Sequence, residues 1–233
     1  MLTIRKASER GKTKIDWLDS RHTFSFGDYR DPEHVNFGPL RVINEDIVAG
    51  GGGFHPHGHK DMEIVTYMLD GALAHKDSLG TGSTIRPGEI QRMSAGSGIT
   101  HAEFNASKTA PAHFLQIWIV PSKMGLEPSY EQKLIDQDAI KNKLARIAAP
   151  EPREGEVRLV QDAEIWAARF DGEEEAVHNL QPGRKAWVQV VRGSGIEIAS
   201  ETLNAGDGAA ITDMDSILIR ARSPAEVLLF DMA

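Results

Sequence analysis

No cysteine occurs among the 233 residues. Disulfides, a thiolate nucleophile and thiolate-ligated zinc are thereby excluded, and the composition agrees with a reducing compartment, so the cytoplasm is the expected location. No apolar run approaches the roughly 18 residues of a membrane span. The opening Met1-Leu2-Thr3-Ile4-Arg5-Lys6-Ala7 has no apolar stretch behind its basic pair. A soluble, unprocessed chain without a membrane partner is expected. An excess of positive charge is missing too, since 26 Lys and Arg face 34 Asp and Glu for a formal net charge of -8. Direct nucleic-acid binding, which needs clustered cations, is not expected. The run Gly50-Gly51-Gly52-Gly53 lacks both the Gly-Lys-Ser/Thr ending of a phosphate loop and the context of a dinucleotide site. Small molecules and proteins remain as partners.

Present instead are short β-rich runs separated by turn residues: 40–48, 64–69, 83–85, 90–93, 99–104 and 112–120. Such regular spacing predicts an all-β sandwich or barrel. A second set echoes the first. Gln189 to Gly193 resembles Tyr67 to Gly71 (offset 122), Leu203 to Asp207 resembles Ile85 to Glu89 (offset 118), and Val227 to Phe230 resembles Phe114 to Ile117 (offset 113). Nearly constant offsets point to duplication and two tandem β-domains, residues 1–135 and 136–233. Around the junction, 138–147 is the one helix-like stretch, although 144–147 could equally begin a strand.

Two ligand-type pairs, His57-Gly58-His59 and His101-Ala102-Glu103, carry the chemistry. Side chains alternate across a strand, so residues i and i+2 share a face. If both pairs lie on strands, three imidazoles and one carboxylate can converge on a divalent transition ion and leave positions for substrate or dioxygen. The bland alternative is a polar, solvated loop beside the glycines, with Glu103 an exposed strand carboxylate. His55 shares the parity of His57 and His59 but adjoins the glycines, and is placed outside the ligand set. Carried across the repeat, the ligand positions retain only His178, which is expected to be a surface histidine. The second domain should lack metal ligands.

The motif order resembles the pirin family of bicupins. The resemblance rests on Trp17 to Tyr29, Leu40 to Asp46, Lys60 to Tyr67 and Met93 to Ile99 leading into His101, Glu103 and Asn105, with a looser match through Gly206 to Ala209 and Val227 to Asp231. It implies two cupin (jelly-roll barrel) domains, a metal held by His57, His59, His101 and Glu103, and an activity like that of the bacterial quercetin 2,3-dioxygenases. The family's His-Pro-His occurs here as His55-Pro56-His57. Anchoring on Glu63 and on Gly53-Phe54 selects His57-Gly58-His59, with His55 and His57 as the alternative pair.

Neutral imidazoles and one carboxylate leave a divalent ion net positive, so a flavonol or enediol should bind as its anion. Glu103 is the candidate catalytic base. Iron is the first expectation for the metal, with Mn, Ni, Cu, Co or Zn also compatible. Asp61 and Glu63 could orient the imidazoles. Phe24, Phe26 and Phe37 could wall an aromatic pocket, and His22, His34, His75 and His113 read as structural or exposed. The leading expectation is a metal-dependent dioxygenase acting on an aromatic or enediol substrate. A non-enzymatic, redox-sensing regulator acting through a protein partner is the alternative, and a Lewis-acid isomerase or hydrolase is a third.

Overall fold

The computed structural model describes residues 1–233, and its regular structure is β apart from one 3-10 turn at Ala7–Glu9. In chain order the strands begin with β1 (Leu2–Arg5), β2 (Gly11–Ile15), β3 (Leu18–His22), β4 (Leu40–Val48), β5 (Gly53–His59) and β6 (Glu63–Asp70). Next come β7 (Leu73–Asp77), β8 (Gly82–Ile85), β9 (Glu89–Ser94), β10 (Ile99–Asn105), β11 (Ala112–Ile119) and β12 (Ser129–Leu134). The second half holds β13 (Ala145–Ala149), β14 (Val157–Arg158), β15 (Ala163–Phe170), β16 (Glu174–Asn179) and β17 (Lys185–Gly193). It ends with β18 (Ile196–Ile198), β19 (Glu201–Leu203), β20 (Gly208–Ile211), β21 (Ser216–Ala221) and β22 (Ala225–Met232). The expected all-β class holds. The helix expected at 138–147 does not form, because Ala145–Ala149 pairs with β15 and its apolar residues are buried there.

Two compact units divide the chain. Gly11–Ile135 with Val157–Gln161 forms the amino-terminal unit, and Met1–Arg10, Asp136–Glu156 and Asp162–Ala233 form the carboxy-terminal unit. Within the first, one sheet runs β12-β9-β6-β11-β4-β3-β2 and the other β5-β10-β7-β8. Within the second, the orders are β1-β20-β17-β22-β15-β13 and β16-β21-β18-β19. The outer strands differ, but the run β9-β6-β11-β4-β3 corresponds to β20-β17-β22-β15-β13 and β5-β10-β7-β8 to β16-β21-β18-β19, which is how the repeat in the sequence appears in three dimensions. Its turns match as well. Gly71 and Gly193 both adopt positive φ (75° and 83°), and a Cβ there would meet Pro111 O at 2.6 Å and Pro224 O at 2.2 Å. Only glycine fits either turn without strain.

Each unit has its own interior. In the amino-terminal unit Leu18, Val48, Met68, Leu73, Ile85 and Phe114 form one cluster, and Ile64, Met93, Ala95 and Ile99 another. In the carboxy-terminal unit a single larger cluster includes Phe170, Val188, Ile198, Ile219 and Leu229, with Leu2 and Ile4 of β1 packed on it. β6 is buried along nearly all its length, as expected of a run apolar at both parities.

Candidate metal centre

The paired strands β5 and β10 build the site. Antiparallel register sets His57 opposite His101 and His59 opposite Ile99, then slips so that Glu103 faces Phe54. Three residues of β5 thus span two of β10, a β-bulge at His55-Pro56. Ahead of the bulge the alternation is reset. Phe54 joins His57 and His59 along the cavity, whereas His55 turns out, exposed, with its ring against Phe104. Parity alone would have kept His55 with the other two. Gly53 allows β5 to approach this closely, since a Cβ there would lie 2.5 Å from the carbonyl oxygen of Glu103.

The three imidazoles His57, His59 and His101 bring ligand atoms within 4.8 Å of one another. His57 Nδ1 is 2.8 Å from the carbonyl oxygen of His55. A carbonyl can only accept, so Nδ1 carries the proton and Nε2 presents a lone pair. That Nε2 lies 3.1 Å from His101 Nε2. Two nitrogens each bound at about 2.1 Å to one ion stand about that far apart when the angle between them is near a right angle. Burial, reinforced by the neighbouring rings, pulls the His59 imidazole down to about 4 and that of His101 to about 2. Both rings are therefore neutral at physiological pH, as ligation requires.

Glu103 is 1% exposed, so it is not a solvated strand carboxylate. Gln116 Nε2 donates to its Oε2 at 2.9 Å, and Oε1 has no partner. Thr66 donates to Gln116 Oε1 at 3.0 Å, which fixes the amide with its N–H toward Glu103. Burial, and then the nearby charge of Asp46, push the Glu103 carboxyl up to about 8 against the pull of Gln116. Asp46 is itself buried with one free oxygen and is pushed up to about 7, mainly by desolvation. Glu103 also clusters with His101 and His75. His75, expected to be structural or exposed, is buried against His101 (ring centroids 5.3 Å) and is paired with Asp77 at 3.1 Å. The three grouped imidazoles, with a buried unpartnered carboxylate oxygen on a residue that shares His101 with them, are a donor set that fits a divalent cation.

A cavity of about 240 Å³ opens onto His57, His59, His101 and Glu103. Phe26, Phe54, Ile64 and Trp118 form apolar wall, and Ser20, His22, Asn44 and Asp46 a polar one. Of the aromatic residues singled out in the sequence, Phe26 lines the cavity, whereas Phe24 is buried core and Phe37 bridges to Leu40. His22 is buried and held between Asn44 Oδ1 and Thr13 Oγ1, each at 2.8 Å. Asp61 and Glu63 do not orient the histidines. Asp61 accepts from the Gly125 amide at 2.6 Å, and Glu63 from Ser94 at 2.5 Å and the Val160 amide at 3.2 Å. Gln116, Trp118, Phe54 and Asp46 escaped sequence reading; their signal was strand parity, visible only once the register was known.

The Pirin family profile matches residues 3–119, and that of the Quercetinase C-terminal cupin domain matches residues 146–232. The chain is similar to the quercetin 2,3-dioxygenase of Escherichia coli (strain K12), 44% identical over 232 residues that cover 100% of this chain and 99% of that protein. It is similar also to the crystal structure of the bacterial pirin YhhW from Escherichia coli in complex with nickel(II). That likeness has a TM-score of 0.94 and 43% identity, covering 100% of this chain and 99% of that one. A quercetin 2,3-dioxygenase structure from Acinetobacter baumannii, 19% identical, shares the fold at a TM-score of 0.75 over 96% of this chain and 84% of that one. With the repeated strand order, these matches make the architecture the expected bicupin.

Proposed function

The chain belongs to the pirin family, and from that premise we propose that it is a metal-dependent dioxygenase of the quercetin 2,3-dioxygenase type, opening flavonols. His57, His59, His101 and Glu103 hold one divalent transition ion. The division of labour falls at 135/136, with residues 1–135 carrying the metal site and 136–233 free of metal ligands. The observation that carries this reading is the lone pair of His57 Nε2 set 3.1 Å from His101 Nε2 in a cavity that His59 and Glu103 also line. The Escherichia coli pirin structure with nickel(II) supports a divalent ion at such a site. Iron is the assigned metal, with nickel and the other first-row ions accommodated by the same donors.

When bound, the ion supplies Lewis acidity toward a substrate oxygen and a redox partner for dioxygen. The chain's residues do the rest. Glu103 accepts the proton of the flavonol hydroxyl, and Gln116, locked by Thr66, keeps donating to the carboxylate so that the base stays aimed. Phe26, Phe54, Ile64 and Trp118 clamp the flat rings and exclude water, while Ser20, Asn44 and Asp46 offer hydrogen bonds to ring hydroxyls. The resulting electron-rich enolate takes up dioxygen, and the heterocycle opens with loss of carbon monoxide.

The test is reconstitution. Metal-free protein is loaded anaerobically with Fe(II), Mn, Ni, Cu or Co, then mixed with air and quercetin. Loss of flavonol absorbance with matching release of carbon monoxide is expected; absence of turnover with every metal rejects the proposal. Glu103→Gln should lower kcat by about 10²–10⁴-fold. His57→Ala with His59→Ala should abolish metal retention.

A further inference from the structure

The carboxy-terminal unit has a cavity of its own, about 520 Å³, lined by side chains that the metal chemistry does not use. By strand order, β16 and β21 stand where β5 and β10 stand in the other unit. His178 of β16 is not the surface residue expected from the sequence. It is 6% exposed and lies at 2.8 Å from Asp231 Oδ2 of β22 through its Nε2. The Arg184 guanidinium donates to the other oxygen of Asp231, to the Asp231 carbonyl at 3.1 Å and to Asp162 at 2.7 Å. Asp231 is thereby pinned from two sides, and His178 with it. In the neutral ring with its proton on Nε2, Nδ1 is a lone pair on a cavity-lining side chain and has no hydrogen-bond partner.

Beside it stands Trp166, its ring 5.0 Å from that of His178 and its N–H given to Glu164 at 3.0 Å. With the indole N–H engaged, Trp166 offers a ring surface. The charges around the cavity are unequal. Asp162, Glu164 and Asp231 face Arg184 alone among the lining residues, and Arg146, bound to Glu164 at 2.5 Å from outside, is shared with Glu156 at 3.1 Å. The lining thus combines an aromatic surface, an imidazole nitrogen without a donor and three carboxylates against one guanidinium, whose nitrogens already donate to Asp231 and Asp162. An anion is disfavoured here. A flat ring carrying an ammonium group satisfies all three features, because the cation is attracted to the indole face and its N–H groups reach His178 and the carboxylates.

We propose that the cavity bounded by Trp166, His178, Asp231 and Arg184 is a second small-molecule site, selective for a small organic cation such as an aryl-alkyl primary amine. The proposal is independent of the dioxygenase reading, since its residues lie outside the metal-bearing unit. Benzylamine is the probe, titrated into the metal-loaded protein by calorimetry, with benzyl alcohol and benzoate as neutral and anionic comparators. Saturable binding of one benzylamine per chain is expected, weaker for the alcohol and lost for benzoate. His178→Ala and Trp166→Leu should each weaken it at least about tenfold with melting temperature monitored, and His178→Gln serves if the alanine variant is unstable. In His57→Ala the titration should be unchanged. Three results overturn the proposal: no saturable benzylamine binding by the unmodified protein, benzoate binding as tightly as benzylamine, or affinity that survives both cavity substitutions while falling in His57→Ala.

Discussion

His55, His57 and His59 share strand parity, yet one of them faces solvent and two face the cavity. A single extra residue decides this, because a bulge exchanges the faces of everything on its far side. The ligand candidates were legible in the sequence since His57-Gly58-His59 and His101-Ala102-Glu103 lie within regular stretches of their strands. Asp46 and Gln116 were not, because buried polar residues read as ordinary polar positions until a strand neighbour places them inside. Asp46 has a testable cost. Its pKa is raised by burial to about 7, so the folded protein takes up a proton that the unfolded chain releases near 3.8. The fold is therefore favoured at low pH, and that advantage is lost as pH rises through about 7. In metal-free protein the melting temperature of Asp46→Asn relative to the parent should become more favourable from pH 5 to pH 8. A difference independent of pH would show that Asp46 ionises freely.

Strands predicted from turn signals at 40–48, 64–69, 83–85, 90–93, 99–104 and 112–120 appear at nearly those limits, because each combines apolar residues with flanking Gly, Pro or Ser. The stretch near 138–147 misled through its helix-forming composition. Its fate is set by partners distant in sequence, Ala145 opposite Ala167 and Arg146 opposite Trp166, which local propensity does not encode. The glycine run ends inside β5, and at its last residue the need for glycine is specific. Gly53→Ala would drive a methyl group into the Glu103 carbonyl and part β5 from β10. We expect it to destabilise the protein by about 1–3 kcal/mol in urea melts and to weaken metal retention, with His57 and His101 no longer held in register. Full metal retention in a stable Gly53→Ala protein would contradict that link between backbone approach and site geometry.

At the scale of the whole molecule, duplication is visible in the sequence as three echoing segments and in the structure as nine corresponding strands in each half, but the exchange of short segments between halves is not. Residues Leu2–Arg5 pair with Gly208–Ile211 and complete the carboxy-terminal sheet, while the Arg158 amide donates to Glu131 at 2.9 Å within the amino-terminal unit. The first anchor is a backbone ladder and the second a backbone amide on the Glu131 carboxylate, so neither leaves a periodic mark in the side-chain pattern. Deleting residues 1–5 should expose the edge of β20, lower the melting temperature and promote association of the protein in light scattering, while the metal content is retained. Equal loss of metal would show that the amino-terminal unit needs β1 as well. The pairing of β1 also orders events during synthesis. At about 5–20 residues per second, the first strand emerges and then waits roughly 10–40 s until its partner near residue 208 is made. Meanwhile residues 11–135 can already have closed around their histidines, so a nascent chain would acquire its metal pocket before its own beginning has found a place. The Thr212 amide, which donates to the Met1 carbonyl at 3.0 Å, closes that ladder only once both strands exist.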